Sequence, residues 1–172
     1  MDILEDREGW RSRYLAWLEG CRQTGVVDWR HYPIPKNTVG PSGKGIDLSQ
    51  SRLMLISSAG AYLRDGQVAF DADDPLGDYG HRLISSSVPL GALGFAHGHY
   101  DHAAVDQDPQ VLVPLRHLET MVTDRQIGEL TASMVSFMGY LPDVTRLIDE
   151  SFPFILEAAR AEKADGVLLV PA

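Results

Sequence analysis

One segment constrains the fold more than any other: the apolar run RLMLIS at residues 52–57. Consecutive large apolar residues are typical of a strand that is buried on both faces, as the central strands of parallel sheets are. The small residues SAGA at 58–61 follow and predict a tight turn, which lies near a site if ligands gather at the carboxyl end of the sheet. Covering both faces of a sheet requires helices on each side, so the run predicts an α/β architecture.

Short apolar runs alternate with helix-like patterns along the rest of the chain. Apolar residues recur at helical spacing in residues 10–21, 115–123 and 144–163. Pro114 suits the start of the second helix, and Pro153 is expected to kink or split the third. Further strands are expected at residues 82–85, 93–96 and 167–170. The alternation predicts a single α/β domain with a mainly parallel central sheet flanked by helices, in a Rossmann-like three-layer arrangement.

Two segments have the composition of irregular structure. Residues 31–45 contain three prolines and three glycines, and residues 65–80 contain five aspartates, one proline and three glycines. Residues 1–50 are therefore interpreted as an N-terminal helix followed by an irregular arm that packs on the domain or contacts a second subunit. Residues 51–172 are interpreted as the core.

Composition excludes several functional classes. The formal net charge of −9 argues against nonspecific nucleic-acid binding, which needs clustered Lys and Arg. No apolar run approaches the roughly 18 residues of a membrane span. Residues 1–8 carry four acids and one arginine, unlike a signal peptide, so a cytoplasmic location is expected. A single cysteine, Cys21, permits neither an internal disulfide nor a thiolate metal cage.

The sequence HGHYDH at residues 97–102 is the densest group of chemically active side chains. Neutral imidazoles and a carboxylate are suitable ligands for zinc or iron, so His97, His99, Asp101 and His102 form a candidate metal site. The same histidines can instead act as general acids and bases, or hold an anionic substrate. Tyr100 would add a phenol donor to either kind of site.

The pattern H-x-H-x-D-H resembles the metal-binding loop of the metallo-β-lactamase superfamily. That superfamily needs further ligands downstream, and after His102 the sequence offers only His117, inside a predicted helix. The chain is also short for a two-sheet sandwich of that type. Five blocks point to a different family, over residues 52–172: LMLISSAGAYLRDGQ, FDADDPLGDYGHRLISS, HGHYDH, VLVPLRHLETMVTDRQIGEL and SFMGY. Their order resembles the selenoprotein B family of glycine, sarcosine, betaine and D-proline reductases.

The resemblance implies a reductase that breaks a carbon–nitrogen bond next to a carbonyl, with dithiol electrons and a selenocysteine or cysteine nucleophile. His97, His99 or His102 would protonate the leaving amine, and Asp101 would orient one of these imidazoles. Tyr100 and the predicted loop SFMGY would line the substrate pocket. The residues of that loop are Ser136, Phe137, Met138, Gly139 and Tyr140.

The expected nucleophile is absent from the 172 residues. In the family it follows a strand resembling GVLLVPA, here residues 166–172, and Cys21 lies outside the region of resemblance. Three explanations stand: a selenocysteine codon read as a stop, a deliberate cut in the gene, or a naturally short homologue. The first predicts a selenocysteine or cysteine codon just past the stop.

Three functions follow from this sequence. The first is a reductase of the selenoprotein B type acting on a small amino acid, as a homo-oligomer or with a reductase partner subunit. The second is a metal-dependent enzyme or metal-binding protein with zinc or iron at HGHYDH. The third is a non-catalytic subunit of a reductase complex. No nucleic-acid or membrane partner is expected.

Overall fold

A computed structural model describes residues 4–40 and 43–172. Residues 1–3 of the acidic N-terminus and residues 41–42 of the predicted arm lie outside the described residues. The strands are β1 Arg52–Ser57, β2 Ala61–Leu63, β3 His81–Ser85, β4 Leu93–Phe95, β5 Glu129–Leu130, β6 Ser133–Phe137 and β7 Gly166–Val170. The helices are α1 Arg7–Thr24, α2 Ala103–Gln107, α3 Leu115–Thr123, α4 Val144–Arg146 and α5 Phe152–Ala161.

Strand β1 is central in a five-stranded sheet, as its apolar run predicts. It pairs in parallel with β7 on one side, and on the other side with β5 at its start and β6 at its end. Strand β3 lies at the far edge, antiparallel to β6. The sheet is therefore mainly parallel, which confirms the predicted fold class.

Both faces of the sheet are covered, because successive side chains of β1 point to opposite sides. On one face Leu53 and Leu55 pack with the buried Leu115 and Leu118 of α3 and with the small two-stranded sheet of β2 and β4. On the other face Met54 and Ile56 pack under α5. The three predicted layers are present.

Helix α1 forms a separate aromatic cluster with the arm that follows it. Trp10, Tyr14 and Trp17 are buried at helical spacing. The indole N–H groups of Trp10 and Trp17 each donate across 2.6 Å, to the carbonyl oxygens of Pro33 and Asp28. These bonds fasten the arm to α1, and Gly25 ends the helix at a φ of 68°.

The structure adds elements that the sequence did not predict. These are strands β2, β5 and β6 and the short helix α2, so Ser136 and Phe137 belong to a strand rather than to a loop. A short 3-10 turn, Pro109–Val111, and a loop that ends at Pro114 precede α3. The last helix passes through a π-helical turn, Leu147–Ser151, before Pro153. Proline lacks an N–H to donate to the preceding turn, which explains a change of helix form at this point.

Candidate functional site

The carboxyl ends of three parallel strands meet at the small-residue turn after β1. Ser58 N–H donates to the carbonyl oxygen of Val170 (3.0 Å), and Gly60 N–H donates to that of Phe137 (2.9 Å). Ala96 N–H, just after β4, donates to the carbonyl oxygen of Gly60 (3.0 Å). The His97–His102 loop therefore leaves β4 beside the carboxyl edge of the sheet, where open α/β sheets place their ligands.

Gly60 permits this close approach. Its φ is +67°, in the left-handed region that favours glycine. A Cβ there would lie 2.2 Å from the carbonyl oxygen of Ala96 and 3.4 Å from Cβ of His97. Any larger residue would push the His97–His102 loop away from the turn.

His97 is buried, with 6% of its surface exposed. Its Nδ1 accepts the backbone N–H of His99 (3.1 Å), so the proton of the neutral ring is placed on Nε2. Nε2 is buried and has no hydrogen-bond partner within the described part of the chain. Burial lowers the pKa of His97 below its usual 6.5, and His99 and His102 lower it further. His97 is therefore a neutral imidazole with an unpaired N–H.

His102 and Tyr100 pack against the same loop. Nε2 of His102 lies 2.8 Å from the carbonyl oxygen of His97, and since a carbonyl only accepts, Nε2 carries the proton. The Tyr100 hydroxyl donates to the carbonyl oxygen of Ala59 (3.0 Å). The Tyr100 ring stacks on His102 with centroids 4.5 Å apart and contacts His97 at 4.9 Å. Burial raises the pKa of Tyr100 to about 12, so the phenol stays protonated at neutral pH.

Tyr140 joins the loop from the segment after β6. Its ring stacks on His99 at a centroid distance of 3.8 Å and an interplanar angle of 10°. Its hydroxyl donates to the carbonyl oxygen of Pro75 (2.9 Å). Tyr140 and the histidine loop, predicted separately as parts of one site, are therefore in contact.

Two other predicted site residues, Asp101 and Phe137, contact a helix end and the core. The Asp101 carboxylate is exposed and accepts the N–H of Ala103 (2.9 Å) at the start of α2, whereas the sequence predicted that it orients a histidine. Phe137 packs with Val135 in the cluster under α5, on the face of the sheet opposite Met134. The Asp101 carboxylate thus bonds the backbone at the first residue of α2, and Phe137 packs against the core.

The remaining predicted pocket residues support the turn after β1. Gly139 N–H donates to the carbonyl oxygen of Ser58 (2.9 Å), and Met138 forms an isolated bridge with Ala59. Ser136 is completely buried, and its hydroxyl has no partner among the described residues. Met138 and Gly139 thus fix the backbone beneath the histidine loop rather than lining a pocket.

The candidate metal ligands are directed to different partners. His97 Nδ1, His102 Nε2 and the Asp101 carboxylate are each bonded to backbone groups, and His99 stacks on Tyr140. Within residues 4–40 and 43–172, no three His, Cys, Asp or Glu side chains are grouped so that they could hold a metal ion. The residues of this conformation do not fit the zinc or iron site considered from the sequence.

Sequence reasoning missed the backbone groups of Ala59, Gly60 and Ala96 that position the histidine loop. The only sequence signal for them was the run of small residues at 58–61. It also missed His81, whose buried Nε2 has no hydrogen-bond partner among the described residues and whose ring stacks on Phe154 at 4.2 Å. Cys21 is buried, and its sulfur accepts the N–H of Asp28 (3.4 Å).

Two curated proteins are similar to this chain. D-proline reductase subunit gamma of Acetoanaerobium sticklandii is 25% identical over 123 residues, which are 72% of this chain and 49% of that protein. Sarcosine reductase complex component B subunit beta of Peptoclostridium acidaminophilum is 30% identical over 111 residues, which are 63% of this chain and 25% of that protein. The chain thus spans about half the length of the first relative and about a quarter of the second.

No protein-family model matches the chain, and no solved structure matches it significantly. Among the helices in the described part of the chain, none has both the length and the apolar character to cross a membrane.

Proposed function

We propose that this chain belongs to the selenoprotein B family of glycine, sarcosine, betaine and D-proline reductases, since it is similar to subunits of a D-proline reductase and a sarcosine reductase, and that it is a substrate-binding subunit of a reductase complex. Its ligand would be a small amino acid whose carbon–nitrogen bond, next to a carboxylate, is reductively cleaved. The observation that carries this proposal is the buried His97, whose Nε2–H has no partner in the described structure.

A buried unpaired N–H costs free energy, about 1–3 kcal/mol, unless a ligand or an ordered water accepts its hydrogen bond. The Nδ1 contact with His99 opposes protonation of the ring, and burial keeps the ring neutral. A neutral imidazole N–H is a good hydrogen-bond donor but a poor proton source. We therefore assign His97 to hold a carboxylate or carbonyl oxygen of the substrate, rather than to protonate the amine.

Proton transfer to the leaving nitrogen is assigned to His99 or His102, which are more exposed than His97. In the proposed reaction a thiolate or selenolate bonds to carbon while the carbon–nitrogen bond breaks and its electron pair leaves on nitrogen. A dithiol then reduces the resulting carbon–sulfur or carbon–selenium bond. The products are a C–H bond and a disulfide, so the dithiol supplies both electrons.

The nucleophile of this reaction has to come from outside the 172 residues. Their one cysteine, Cys21, is a buried residue of α1 whose sulfur accepts the backbone N–H of Asp28, so its thiol is not presented to a substrate. A second polypeptide of the complex, or a further segment of a longer chain, would supply a thiol or selenol. The cytoplasmic location stays a prediction, for cell fractionation to test.

Calorimetric titration of the purified chain with sarcosine and with D-proline tests the proposal. His97→Asn keeps an acceptor near the Nδ1 position for the His99 N–H but removes the Nε2–H. We expect wild-type protein to bind at least one of the two amino acids, and His97→Asn to bind it about tenfold more weakly. His117→Asn is the matched control, because His117 is exposed on α3.

Two results would overturn the proposal: no binding of either amino acid by the wild type, or equal binding by His97→Asn. Circular dichroism of the two variants separates lost binding from lost folding. Because Nε2 is buried, binding should also shift the His97 ring resonances as the loop admits the ligand. With dithiothreitol as electron donor, we expect the chain alone not to cleave either amino acid. Cleavage would show that no nucleophile from outside the 172 residues is needed.

A further inference from the structure

The His99 ring is held differently from the other two imidazoles of the His97–His102 loop. The rings of His97 and His102 each bond a backbone group of the loop through one ring nitrogen. The ring of His99 stacks on Tyr140, with centroids 3.8 Å apart, and meets the His97 ring edge to face at 5.9 Å. Its ring nitrogens form no hydrogen bond with another described residue. The orientation of His99 therefore depends on the position of Tyr140.

Tyr140 is fixed by contacts from two further segments. Its hydroxyl donates to the carbonyl oxygen of Pro75 (2.9 Å), in the aspartate-rich segment before β3. Its ring meets the indole of Trp29 at a centroid distance of 5.5 Å and an interplanar angle of 72°. Such an edge-to-face pair is favourable, because the positive edge of one ring meets the negative face of the other. Trp29 thus limits the tilt of the ring on which His99 stacks.

Trp29 is itself held in place by the aromatic cluster of α1 and the arm. Its ring centroid lies 5.3 Å from that of Trp17 and 5.5 Å from that of Tyr32. The Tyr32 hydroxyl donates to the carbonyl oxygen of Pro142 (2.8 Å), in the segment that carries Tyr140. A continuous series of ring contacts therefore joins α1 to the histidine loop, and a hydrogen bond fastens the arm to the same segment.

We propose that Trp29 is a positioning residue for His99, acting through Tyr140, and that His99 is the imidazole that gives a proton to the leaving nitrogen. That nitrogen leaves with the electron pair of the broken bond and takes a proton from the His99 imidazolium, which becomes neutral. Stacking fixes the plane of the ring and leaves both of its nitrogens at the rim for a substrate. Nε2 of His102, in contrast, is already bonded to the carbonyl oxygen of His97.

The inference rests on the proposed function, since it concerns the proton transfer of the same reaction. It chooses between the two imidazoles to which that transfer was assigned. It also gives a role to the arm after α1, which lies outside the residues 52–172 that resemble the reductase family.

NMR spectra of the histidine rings test the positioning role. The ring current of Tyr140 should shift the His99 ring C–H resonances upfield, and their absence in His99→Asn assigns them. We expect Trp29→Ala to lose most of this shift, and Trp29→Phe to keep it, because a phenyl ring preserves the edge contact. The resonances of His97 and His102 should stay near their wild-type positions, since hydrogen bonds to the loop backbone hold these rings.

Val26→Ala is the matched control, because Val26 is exposed at the start of the same arm. It should leave the resonances of all three imidazoles unchanged. Unchanged His99 resonances in Trp29→Ala would overturn the inference. Equal shifts at all three imidazoles would also overturn it, because they would indicate a general change of the loop.

Nuclear Overhauser contacts in the unmodified protein decide the matter if circular dichroism shows that Trp29→Ala does not fold. We expect contacts between the ring protons of Trp29 and Tyr140, and between those of Tyr140 and His99. The absence of either set would overturn the inference.

Titration with sarcosine and with D-proline separates the inference from the proposed function. The bound amino acid should shift the His99 resonances of the wild type. Trp29→Ala should bind it within about threefold of the wild-type affinity, through His97, but show a smaller shift at His99. Binding that shifts His97 and leaves His99 unchanged would overturn the inference and leave the proposed function standing. Binding of neither amino acid would overturn the proposed function, whereas the spectra of the free protein still decide whether Trp29 positions His99.

Discussion

His97 and His81 share the same unusual state in two different regions of the molecule. Each has a buried Nε2 without a partner among the described residues, and burial lowers the pKa of each below 6.5. His97 follows β4 in a loop that two hydrogen bonds hold together. Its Nδ1 accepts the backbone N–H of His99, and its carbonyl oxygen accepts from Nε2 of His102. His81 begins β3, pairs with Phe137 and stacks on Phe154.

The difference teaches that a buried unpaired imidazole nitrogen does not make a site by itself. Around His81 the closest ring is apolar, and the strand pairing is regular, so the imidazole acts as a flat packing group between β3 and α5. Around His97 several polar groups converge at the carboxyl edge of the sheet. The surroundings, rather than the residue type, separate a candidate binding residue from a core residue.

The largest effect is expected from a substitution in the turn after β1, which contacts the start of the His97–His102 loop. Gly60→Ala places a Cβ at φ +67° and within 2.2 Å of the carbonyl oxygen of Ala96. We expect a loss of roughly 3 kcal/mol in the free energy of unfolding, since a left-handed conformation and a steric overlap add together. Denaturant titration measures the loss, and amino-acid binding should disappear with it.

Gly91→Ala is the matched control for that substitution. No atom lies within 4 Å of the position its Cβ would take, and the backbone is not in the left-handed region. Its free energy of unfolding should stay within about 1 kcal/mol of wild type. Equal stability of Gly60→Ala and Gly91→Ala would contradict the tight contact between the turn and the histidine loop.

An effect of intermediate size is expected in the pH dependence of the free energy of unfolding, to which His81 contributes. Burial, aided by the neighbouring Arg82, lowers its pKa in the folded protein, while Asp78 and Glu150 oppose this. The unfolded chain therefore binds a proton first as the pH falls below about 6.5, and the folded protein loses stability over that interval. His81→Phe keeps an aromatic ring against Phe154 but cannot titrate.

Unfolding titrations at pH 7 and pH 5 compare the two proteins. The stability of His81→Phe should fall less than that of wild type between these values. The remaining fall includes His97, whose pKa is lowered in the same direction. A wild-type protein that gained stability on acidification relative to His81→Phe would show that the folded state favours protonated His81, contrary to its buried position.

The smallest expected effect is that of Ser136→Ala, in β6 between the two regions. The hydroxyl of Ser136 is completely buried and has no partner in the described part of the chain, so its removal breaks no hydrogen bond. We expect the free energy of unfolding to stay the same or to rise by up to about 1 kcal/mol. Thermal unfolding measures it, and a loss above 1 kcal/mol would indicate a bound water on this hydroxyl.

Much of the fold could be predicted from local patterns. The run at 52–57 predicted the central strand β1, the helical spacing of Trp10, Tyr14 and Trp17 predicted α1, and Pro114 marked the start of α3. These features depend on residues that are close in sequence, so the short-range periodicity of apolar residues predicts them. Strand β6 contains two serines, Ser133 and Ser136, and its strand character comes from pairing with β1 and β3.

The candidate site was predicted in composition but not in geometry. The histidines and Tyr140 were identified, and the structure brings His99 and Tyr140 together. The structure places Asp101 against the first residue of α2 and Phe137 under α5, and the roles expected of these two residues stay predictions. The orientation of a loop carboxylate or a strand side chain depends on distant partners, which a single sequence does not encode locally.

The sequence by itself determined the α/β class, the central strand, the resemblance to reductase subunits and the loop that carries the histidines. Each of these depends on residue order and on the types of side chain present. Only the tertiary structure decided which ring nitrogen of His97 and of His102 is bonded to the backbone. That choice depends on backbone groups of the loop and of the turn after β1, which approach the rings only after β4, β6 and β1 have packed together.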